Sequence, residues 1–147
     1  MTHNRMESAA YLSALLAKGF SKSLATRANS LGFLPGQFPV LLELWNQDGL
    51  TQRELLDRLE IEQATLANTL SRMERDGLIL RRQHPKDRRA ICNFLTDKAR
   101  SIEAPAMEAA RDADQDLFKG FRHFEKELML EYIRWAIDNA RHLESKT

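Results

Sequence analysis

The chain has 147 residues, of which 43% are hydrophobic and 29% are charged. These values are typical of a soluble globular protein and exclude a disordered or fibrous chain. No apolar run approaches the roughly 18 residues of a membrane-spanning helix, and Met1–Glu7 lacks the pattern of a signal peptide. The single cysteine, Cys92, excludes an internal disulfide and fits a reducing compartment. We therefore expect one cytoplasmic domain that does not contact a membrane.

The formal net charge is only +1, but basic residues concentrate in one segment. Between Arg72 and Arg89, seven basic side chains outnumber three acidic ones, so the rest of the chain is net acidic. Such a patch is typical of a nucleic-acid-binding region beside a separate, solvated region. A solvated charged surface is the alternative, and charge alone does not decide between the two.

Apolar residues at helical spacing predict two helices in the first third of the chain. The first covers Met6–Ser30 and is ended by Gly32, and the second covers Pro35–Gln47. Pro39 fits the second helix only if that helix begins near Gly36, because first-turn N–H groups have no helical partner.

The third helix has a complete start signal. Thr51 and Glu54 form a capping box, in which the threonine caps the helix and the glutamate bonds back to it. Leu50 and Leu55 have the spacing of a hydrophobic staple around this cap. We therefore expect a well-defined helix that buries the leucines following Thr51.

The second half of the chain predicts a helix, a hairpin and two further helices. A fourth helix over Glu62–Asp76 is stopped by Gly77, and the periodicity then changes from helical to alternating. Two short strands flank a polar turn, and the next helix is capped by Thr96 and kinked at Pro105. The predicted ranges are Leu78–Arg82 and Ala90–Leu95 for the strands and Thr96–Gly120 and Phe124–Leu143 for the helices.

The fourth helix separates an apolar face from a face of hydrogen-bonding side chains. At about 100° per residue, Leu66, Leu70 and Met73 fall on one side, which suits packing on the third helix. The other side carries no acidic residue before Glu74, whereas solvated faces usually carry Glu and Lys pairs. It can contact base edges in a major groove, and an ordinary solvated face is the alternative. The expected base-contacting residues are Thr65, Asn68, Thr69 and Arg72 on this side and Gln63 at the N-terminal end of the helix.

The turn between the two strands carries a second group of charged side chains. Arg88 and Arg89 lie at or just beyond its tip, and a minor groove attracts arginine through its negative potential. Asp87 can hold Arg89 extended through a charge-assisted contact. A solvated basic turn is the alternative. Outside the fourth helix, the expected DNA-contacting residues are Thr51, Lys86, Asp87, Arg88 and Arg89.

Two helices joined by a short turn and followed by a hairpin are the parts of a winged helix-turn-helix. The predicted fold class is therefore mainly α with a small β-hairpin wing, the winged helix-turn-helix being joined to a helical dimerisation region. Apolar stripes on the first and last predicted helices favour that dimerisation region, because they exceed what a small winged domain could cover.

Several segments resemble the MarR family of bacterial regulators. Gly77–Arg82, Pro85–Ala90 and the Leu95–Thr96 pair are similar to that family's wing, and its Asp-x-Arg motif falls on Asp87 and Arg89. Ala99 stands where the family usually has glycine, and an early helix position accepts alanine well. The recognition helix of the family resembles the segments Glu62–Leu66 and Arg72–Gly77.

The resemblance implies a single MarR-like domain over residues 1–147, with a DNA-binding lobe over residues 34–96. It also implies a homodimer held by helices in residues 6–31 and 97–145, whose two wings reach one pseudo-palindromic operator. The implied function is a sequence-specific transcriptional regulator, with repression as the expected mode. Its expected partners are double-stranded DNA and a second copy of the chain.

Members of this family often respond to small aromatic acids or phenols, bound between the dimerisation helices and the DNA-binding lobe. Aromatic residues at helical spacing are more often plain core, so the existence of such an effector stays open. The candidate lining is Phe20, Phe38, Trp45 and Met107, with Arg111 as a carboxylate anchor.

Other signals and function classes receive less support. Redox-sensing relatives carry a reactive cysteine in or near the first helix, whereas Cys92 lies in the second strand, where a small buried thiol is the expected role. The four histidines show no ligand spacing, so we expect no metal and no cofactor. An enzyme is not expected, since no phosphate loop or nucleophile arrangement occurs. The alternative function is a winged-helix module that binds protein, although such a module would more often expose apolar residues over Thr65–Arg72.

Overall fold

The computed structural model describes residues 2–144 and is mainly helical, with one antiparallel hairpin. Short 3₁₀ turns lie at Arg5–Glu7 and Pro35–Gln37. Within the described residues, no helix combines the length and the apolar character needed to cross a membrane. The elements are α1 (Ala9–Leu31), α2 (Phe38–Asn46), α3 (Gln52–Leu59), α4 (Gln63–Arg75), β1 (Ile79–Gln83), β2 (Ile91–Leu95), α5 (Asp97–Ser101), α6 (Glu103–Leu117) and α7 (His123–Glu144).

The chain divides into two compact units between Asp114 and Gln115. The first unit holds α1 to α5, the hairpin and most of α6, and the second holds the end of α6 and α7. The lobe expected over residues 34–96 lies inside the first unit, and its bounds stay a prediction, like those of the dimerisation segments. Residues 1 and 145–147 of the expected ranges lie outside the described residues.

Caps and prolines set the starts of the first helices. The Ser8 hydroxyl accepts a hydrogen bond from the Tyr11 N–H at 3.2 Å, so α1 begins at Ala9 and the expected start at Met6 is wrong. The segment Pro35–Gln37 forms a 3₁₀ turn, and α2 begins only at Phe38. Pro39 therefore lies in the first turn of α2, where its missing N–H leaves no helical bond unmade.

The expected single kinked helix after Thr96 is wrong, because the structure has two helices there. The helix α5 ends at Ser101, Ile102 forms its C-cap with φ −94° and ψ 0°, and α6 starts at Glu103. Pro105 lacks an N–H, and its ring crowds the carbonyl four residues earlier, which is that of Ser101. The proline thus separates two helices instead of bending one.

The hydrophobic core of the first unit joins α2, α3, α4 and the hairpin. On α4 the side chains of Leu66, Leu70 and Met73 are fully buried, as the apolar face predicts. On α3 the Leu55 side chain is fully buried, and Leu56 and Leu59 pack partly buried against the core. This packing leaves the opposite face of α4 on the surface.

The hairpin is anchored to the segment that precedes α3. The Gly49 N–H donates to the Asn93 carbonyl at 3.0 Å, and the Asn93 N–H donates to the Leu50 carbonyl at 2.9 Å. Gly49 has a φ of +79°, and a Cβ there would lie 2.7 Å from Cε1 of Phe94. Only glycine adopts this positive φ without strain and lacks the Cβ that would meet Phe94. Gly49 therefore allows β2 to lie close to this segment.

The C-terminal end of α4 is held by groups from two other segments. Gln37 is buried, and its side-chain amide donates to the Asp76 carboxylate at 3.1 Å. Lys98 Nζ donates to the Asp76 carbonyl at 3.0 Å. These contacts and the core fix α4 within the first unit, so its exposed side chains project from a rigid support.

Candidate nucleic-acid interface

The helix α4 carries the predicted base-contacting residues, with Gln63 at its start and the other four along one face. Gln63, Thr65, Asn68 and Arg72 are exposed. Thr69 is half-buried, and its hydroxyl donates to the Thr65 carbonyl at 2.8 Å, which leaves the Thr69 methyl group and the two hydroxyl lone pairs for an outside contact. The face therefore presents amide, hydroxyl and guanidinium groups together.

A cleft of about 360 Å³ connects three parts of the predicted site. It brings Thr51 at the start of α3 and Gln63 at the start of α4 together with Asp87 and Arg89 of the hairpin turn. These segments are distant in sequence, and the fold alone joins them. The complete lining is Thr51, Gln52, Arg53, Leu56, Gln63, Asp87, Arg89, Ala90 and Ile91.

Gln52 and Arg53 in this lining were missed by the sequence interpretation. Both follow directly after the Thr51 cap, so the capping box that marks the helix start was the signal that could have found them. The Arg53 side chain is 82% exposed, and its only ion pair among the described residues is with Asp57 at 3.6 Å. Its guanidinium can therefore reach a partner outside the chain.

The hairpin turn is ordered by its own hydrogen bonds. The Asp87 carboxylate accepts from the backbone N–H of Arg89 at 3.0 Å, and the side chain of Gln83 donates to the Arg88 carbonyl at 2.9 Å. The charge-assisted contact expected between Asp87 and Arg89 is thus made to the backbone N–H of Arg89. The side chains of Lys86, Arg88 and Arg89 stay exposed.

Arg72 lies apart from the cleft. It is nine residues after Gln63, which places it about 13 Å along the helix axis. It lines a separate hollow of about 300 Å³ together with Asn29 and Asp76, among others. Nine residues are about two and a half helical turns, so Gln63 and Arg72 project from opposite sides of α4. Gln63 therefore belongs with the cleft, and Arg72 with the face that carries Thr65, Asn68 and Thr69.

The start of α3 is stabilised by ionised Glu54. A hydrogen bond from the Thr51 backbone N–H, and next the contact with the Thr51 side chain, hold the pKa of Glu54 below its ordinary value. The smaller effect of Arg58 acts in the same direction, and slight burial opposes it. Glu54 is therefore a carboxylate at neutral pH.

The expected effector residues are only partly brought together. Phe20 and Phe38 line a cavity of about 310 Å³, whereas Trp45, Met107 and Arg111 do not. Trp45 is held in the core, where its indole N–H donates to the Ala99 carbonyl at 3.0 Å. Arg111 is exposed, since it is turned about 100° from Ala110, which faces the cavity. The other lining residues are Ser21, Leu24, Pro35, Gly36, Ala110, Ala113 and Asp114.

Cys92 is a buried free thiol in β2. Across the described residues, no three histidine, cysteine or acidic side chains lie where they could share a metal ion.

Comparison with known proteins places the chain among regulators. The sequence model of the MarR family matches residues 34–91. The transcriptional regulator HosA of Escherichia coli O111:H- is 30% identical over 98 residues, which cover 67% of this chain and 73% of HosA. The HTH-type transcriptional regulator TtmR of Methylorubrum extorquens is 39% identical over 67 residues, which cover 46% of this chain but only 34% of TtmR.

Solved structures share the fold over nearly the whole chain. A MarR transcriptional regulator from Methanosarcina mazei Go1 has a TM-score of 0.77 at 26% identity, covering 90% of this chain and 94% of that one. A MarR family regulator from Listeria monocytogenes, complexed with 26mer DNA, has a TM-score of 0.74 at 21% identity and coverages of 95% and 89%. PcaV from Streptomyces coelicolor, in complex with its natural ligand, has a TM-score of 0.82 at 22% identity and coverages of 95% and 99%.

These matches confirm the predicted fold class, mainly α with a hairpin wing. The matched segment, residues 34–91, contains both α4 and the hairpin turn with the Asp-x-Arg motif. HosA and TtmR are transcriptional regulators, in agreement with the function class expected from the sequence. The chain belongs to the MarR family of transcriptional regulators.

Proposed function

We propose that the chain binds double-stranded DNA sequence-specifically and acts as a cytoplasmic, homodimeric repressor on a pseudo-palindromic operator. The observation that carries the proposal is the cleft where the starts of α3 and α4 meet the tip of the wing. The cleft combines hydrogen-bonding groups with two arginines, Arg53 and Arg89. In this proposal residues 34–96 bind DNA, and residues 6–31 and 97–145 form the dimer.

The exposed face of α4 has the chemistry of a major-groove surface. Gln63 and Asn68 can bind adenine through two hydrogen bonds, and Arg72 can bind guanine in the same way. The methyl groups of Thr65 and Thr69 can contact a thymine methyl. From Thr65 to Arg72 the face is about 10 Å long, which corresponds to about three base pairs at 3.4 Å each.

The wing tip suits the neighbouring minor groove. Lys86, Arg88 and Arg89 are exposed there, and the Asp87 carboxylate fixes the backbone from which the Arg89 side chain projects. A narrow minor groove attracts arginine electrostatically, and lysine suits a phosphate contact. The DNA bound by the Listeria monocytogenes protein of similar fold supports this assignment.

Exposed apolar side chains support the homodimer. On α1, Tyr11, Leu12 and Leu15 are each more than a third exposed. On α7, Tyr132 and Trp135 are 57% and 65% exposed. Large apolar side chains that are exposed together on a helix mark an interface, and a second copy of the chain would cover them. A symmetric dimer places two α4 helices in half-sites about 34 Å apart.

The cavity lined by Phe20 and Phe38 supports a small aromatic or phenolic effector. It lies where α1, the Pro35–Gln37 turn and α6 meet, and its lining is mainly apolar. The ligand in the PcaV structure is in keeping with such a site. Isothermal titration with a panel of aromatic acids and phenols tests this part, and heats equal to dilution for the whole panel would contradict it.

Selection from a random duplex library tests the proposed function directly. We expect two related half-sites in inverted orientation, with a centre-to-centre spacing of about one helical turn. Fluorescence anisotropy of the selected duplex should show affinity falling steeply as salt rises, because bound phosphates release counterions. No enrichment at low salt would favour the alternative, a winged-helix module that binds protein.

A further inference from the structure

A buried polar pair joins the two strands at the base of the wing. Arg81 on β1 and Asn93 on β2 are direct partners in the antiparallel register, so their side chains lie on the same face of the hairpin. Asn93 is fully buried, and Arg81 is half-buried. A charged and an amide side chain in such a place need hydrogen-bond partners.

The pair reaches from the hairpin to the start of α3. The Asn93 side-chain amide donates to the Leu50 carbonyl at 3.0 Å, and that carbonyl also accepts the Asn93 backbone N–H. The Nη2 group of Arg81 donates to Oε1 of Gln52, the first residue of α3, at 3.0 Å. Both strands are thus tied to adjacent positions around the Thr51 cap.

One donor and one acceptor of the pair are left over. Arg81 Nε and Asn93 Oδ1 are buried and have no hydrogen-bond partner within residues 2–144. Arg81 Nε carries a hydrogen and Asn93 Oδ1 accepts one, so a direct contact or one shared water would satisfy both. A buried polar group left unsatisfied is costly, so the contact that satisfies both atoms favours one mutual arrangement of the two side chains.

We propose that Arg81 is a positioning residue, which sets the angle of the wing on α3 and so aims Arg89 at the DNA. This inference rests on the proposed function and deepens it, because it assigns a specificity role to a residue that does not itself contact DNA. Arg81 acts through its hydrogen bond to Gln52 and through its position opposite Asn93 in the hairpin.

A small rotation at the base of the hairpin moves its tip by a large distance. Five residues of strand are about 16 Å long, so a rotation of about 10° at the base moves the tip by about 3 Å. That displacement equals the length of one hydrogen bond and would take the Arg89 guanidinium out of reach of a base edge.

A double-mutant cycle tests the proposal with the duplex selected by the wild-type chain. The four proteins are wild type, Arg81→Met, Arg89→Ala and the double variant. We expect Arg89→Ala to weaken binding about tenfold for each half-site in the wild-type background, the effect of one lost base contact in each. In the Arg81→Met background the same change should cost less than about twofold, because a misaligned Arg89 has no contact to lose.

Matched variants separate the positioning role of Arg81 from the loss of a positive charge and from a loss of stability. Arg82→Met removes the same charge from the next position, whose side chain lies on the other face of the hairpin, and should leave the full effect of Arg89→Ala. Gln52→Ala removes the other end of the Arg81 contact and should reduce the effect of Arg89→Ala in the same direction. Thermal unfolding of each variant establishes that the proteins compared are folded.

The outcomes are distinguishable. Equal costs of Arg89→Ala in the wild-type, Arg81→Met and Gln52→Ala backgrounds would overturn the positioning role while leaving DNA binding intact. If the wild-type chain selects no duplex, the proposed function fails and the positioning role fails with it. If Arg81→Met does not fold, the Gln52→Ala background decides alone.

Discussion

Thr51 and Glu54 exchange two hydrogen bonds at the start of α3, each 3.1 Å long. The Thr51 hydroxyl accepts from the Glu54 N–H, and the Glu54 carboxylate accepts from the Thr51 N–H. Two N–H groups that the helix itself cannot satisfy are thereby paired. Because Thr51 also lines the cleft, the same contact that starts the helix fixes one wall of the proposed interface.

Glu54 gives a pH dependence of folding with a defined sign. Its pKa is lower in the folded chain than in the unfolded chain, so its contribution is present above the unfolded value of about 4.3 and is lost as the pH falls through the folded value. We expect wild type to be more stable than Glu54→Gln at pH 7, with the difference shrinking below about pH 4. Urea unfolding of both proteins across this range measures it, and a constant difference would show that the charge of Glu54 does not stabilise the cap.

Gly49 should be the least replaceable glycine of the hairpin junction. A Cβ at Gly49 meets Phe94 at 2.7 Å on a backbone with positive φ, so we expect Gly49→Ala to destabilise the fold by about 1–3 kcal/mol. Gly36→Ala is the matched control, because a Cβ at Gly36 meets nothing within 4 Å. Urea unfolding compares the two, and equal midpoints would show that β2 can move away from Gly49.

Arg72 should contribute a specific base contact. We expect Arg72→Ala to cost about 1–3 kcal/mol of binding free energy at each half-site and to relax the preference for one base pair. Arg75→Ala removes the same charge about one turn later, at a position turned about 60° from Arg72, where the guanidinium lies 3.8 Å from the Asp76 carboxylate, and should leave base preference unchanged. Repeating the library selection with both variants measures this, and an unchanged motif for Arg72→Ala would place the contact surface elsewhere.

Lys86 should contribute a phosphate contact without sequence preference. We expect Lys86→Ala to weaken selected and unrelated duplexes by similar factors and to reduce the slope of log affinity against log salt by about 0.9 for each lost contact. Anisotropy titrations at four or more salt concentrations give the slope. A slope equal to that of wild type is the result that contradicts the assignment.

Trp135 should be covered by the second copy of the chain. Its side chain is 65% exposed on α7, and a charge there would be costly to bury in an apolar interface. We therefore expect Trp135→Glu to shift the chain to a monomer, while Trp135→Phe stays dimeric because it keeps an apolar ring. Sedimentation velocity at micromolar concentration reads out both, and a dimeric Trp135→Glu would exclude this face from the interface.

Local signals explain why much of the fold could be predicted from sequence. The Thr51 cap, the apolar face of α4 and the alternation in the strands all act within a few residues, and the structure has each of them. The errors fall where two local rules compete. Asn4 caps only the 3₁₀ turn Arg5–Glu7, so the cap of α1 is Ser8, and Pro105 interrupts the hydrogen-bond ladder more fully than a kink requires.

The candidate site was less predictable because it depends on contacts between distant segments. The types of side chain on α4 and at the wing tip could be recognised from their spacing, but the cleft that joins Thr51 to Arg89 exists only in the folded chain. The bond from Arg81 to Gln52 spans 29 positions in sequence, and no local pattern announces it. The same limit explains why Trp45 was expected near an effector, although its N–H is bound to Ala99.

The order of the strands has a consequence for how the chain behaves in a crowded solution. Strand β2 lies between β1 and the Gly49–Thr51 segment, so β1 forms the outer edge of this small sheet, and among the described residues it pairs with β2 alone. An outer edge offers unpaired backbone groups to any passing strand and is a common starting point of fibres. Two consecutive arginines, Arg81 and Arg82, occupy this edge, and their charges repel a second copy that approaches edge to edge. The wing can therefore stand out from the protein as an exposed hairpin without becoming a seed for aggregation.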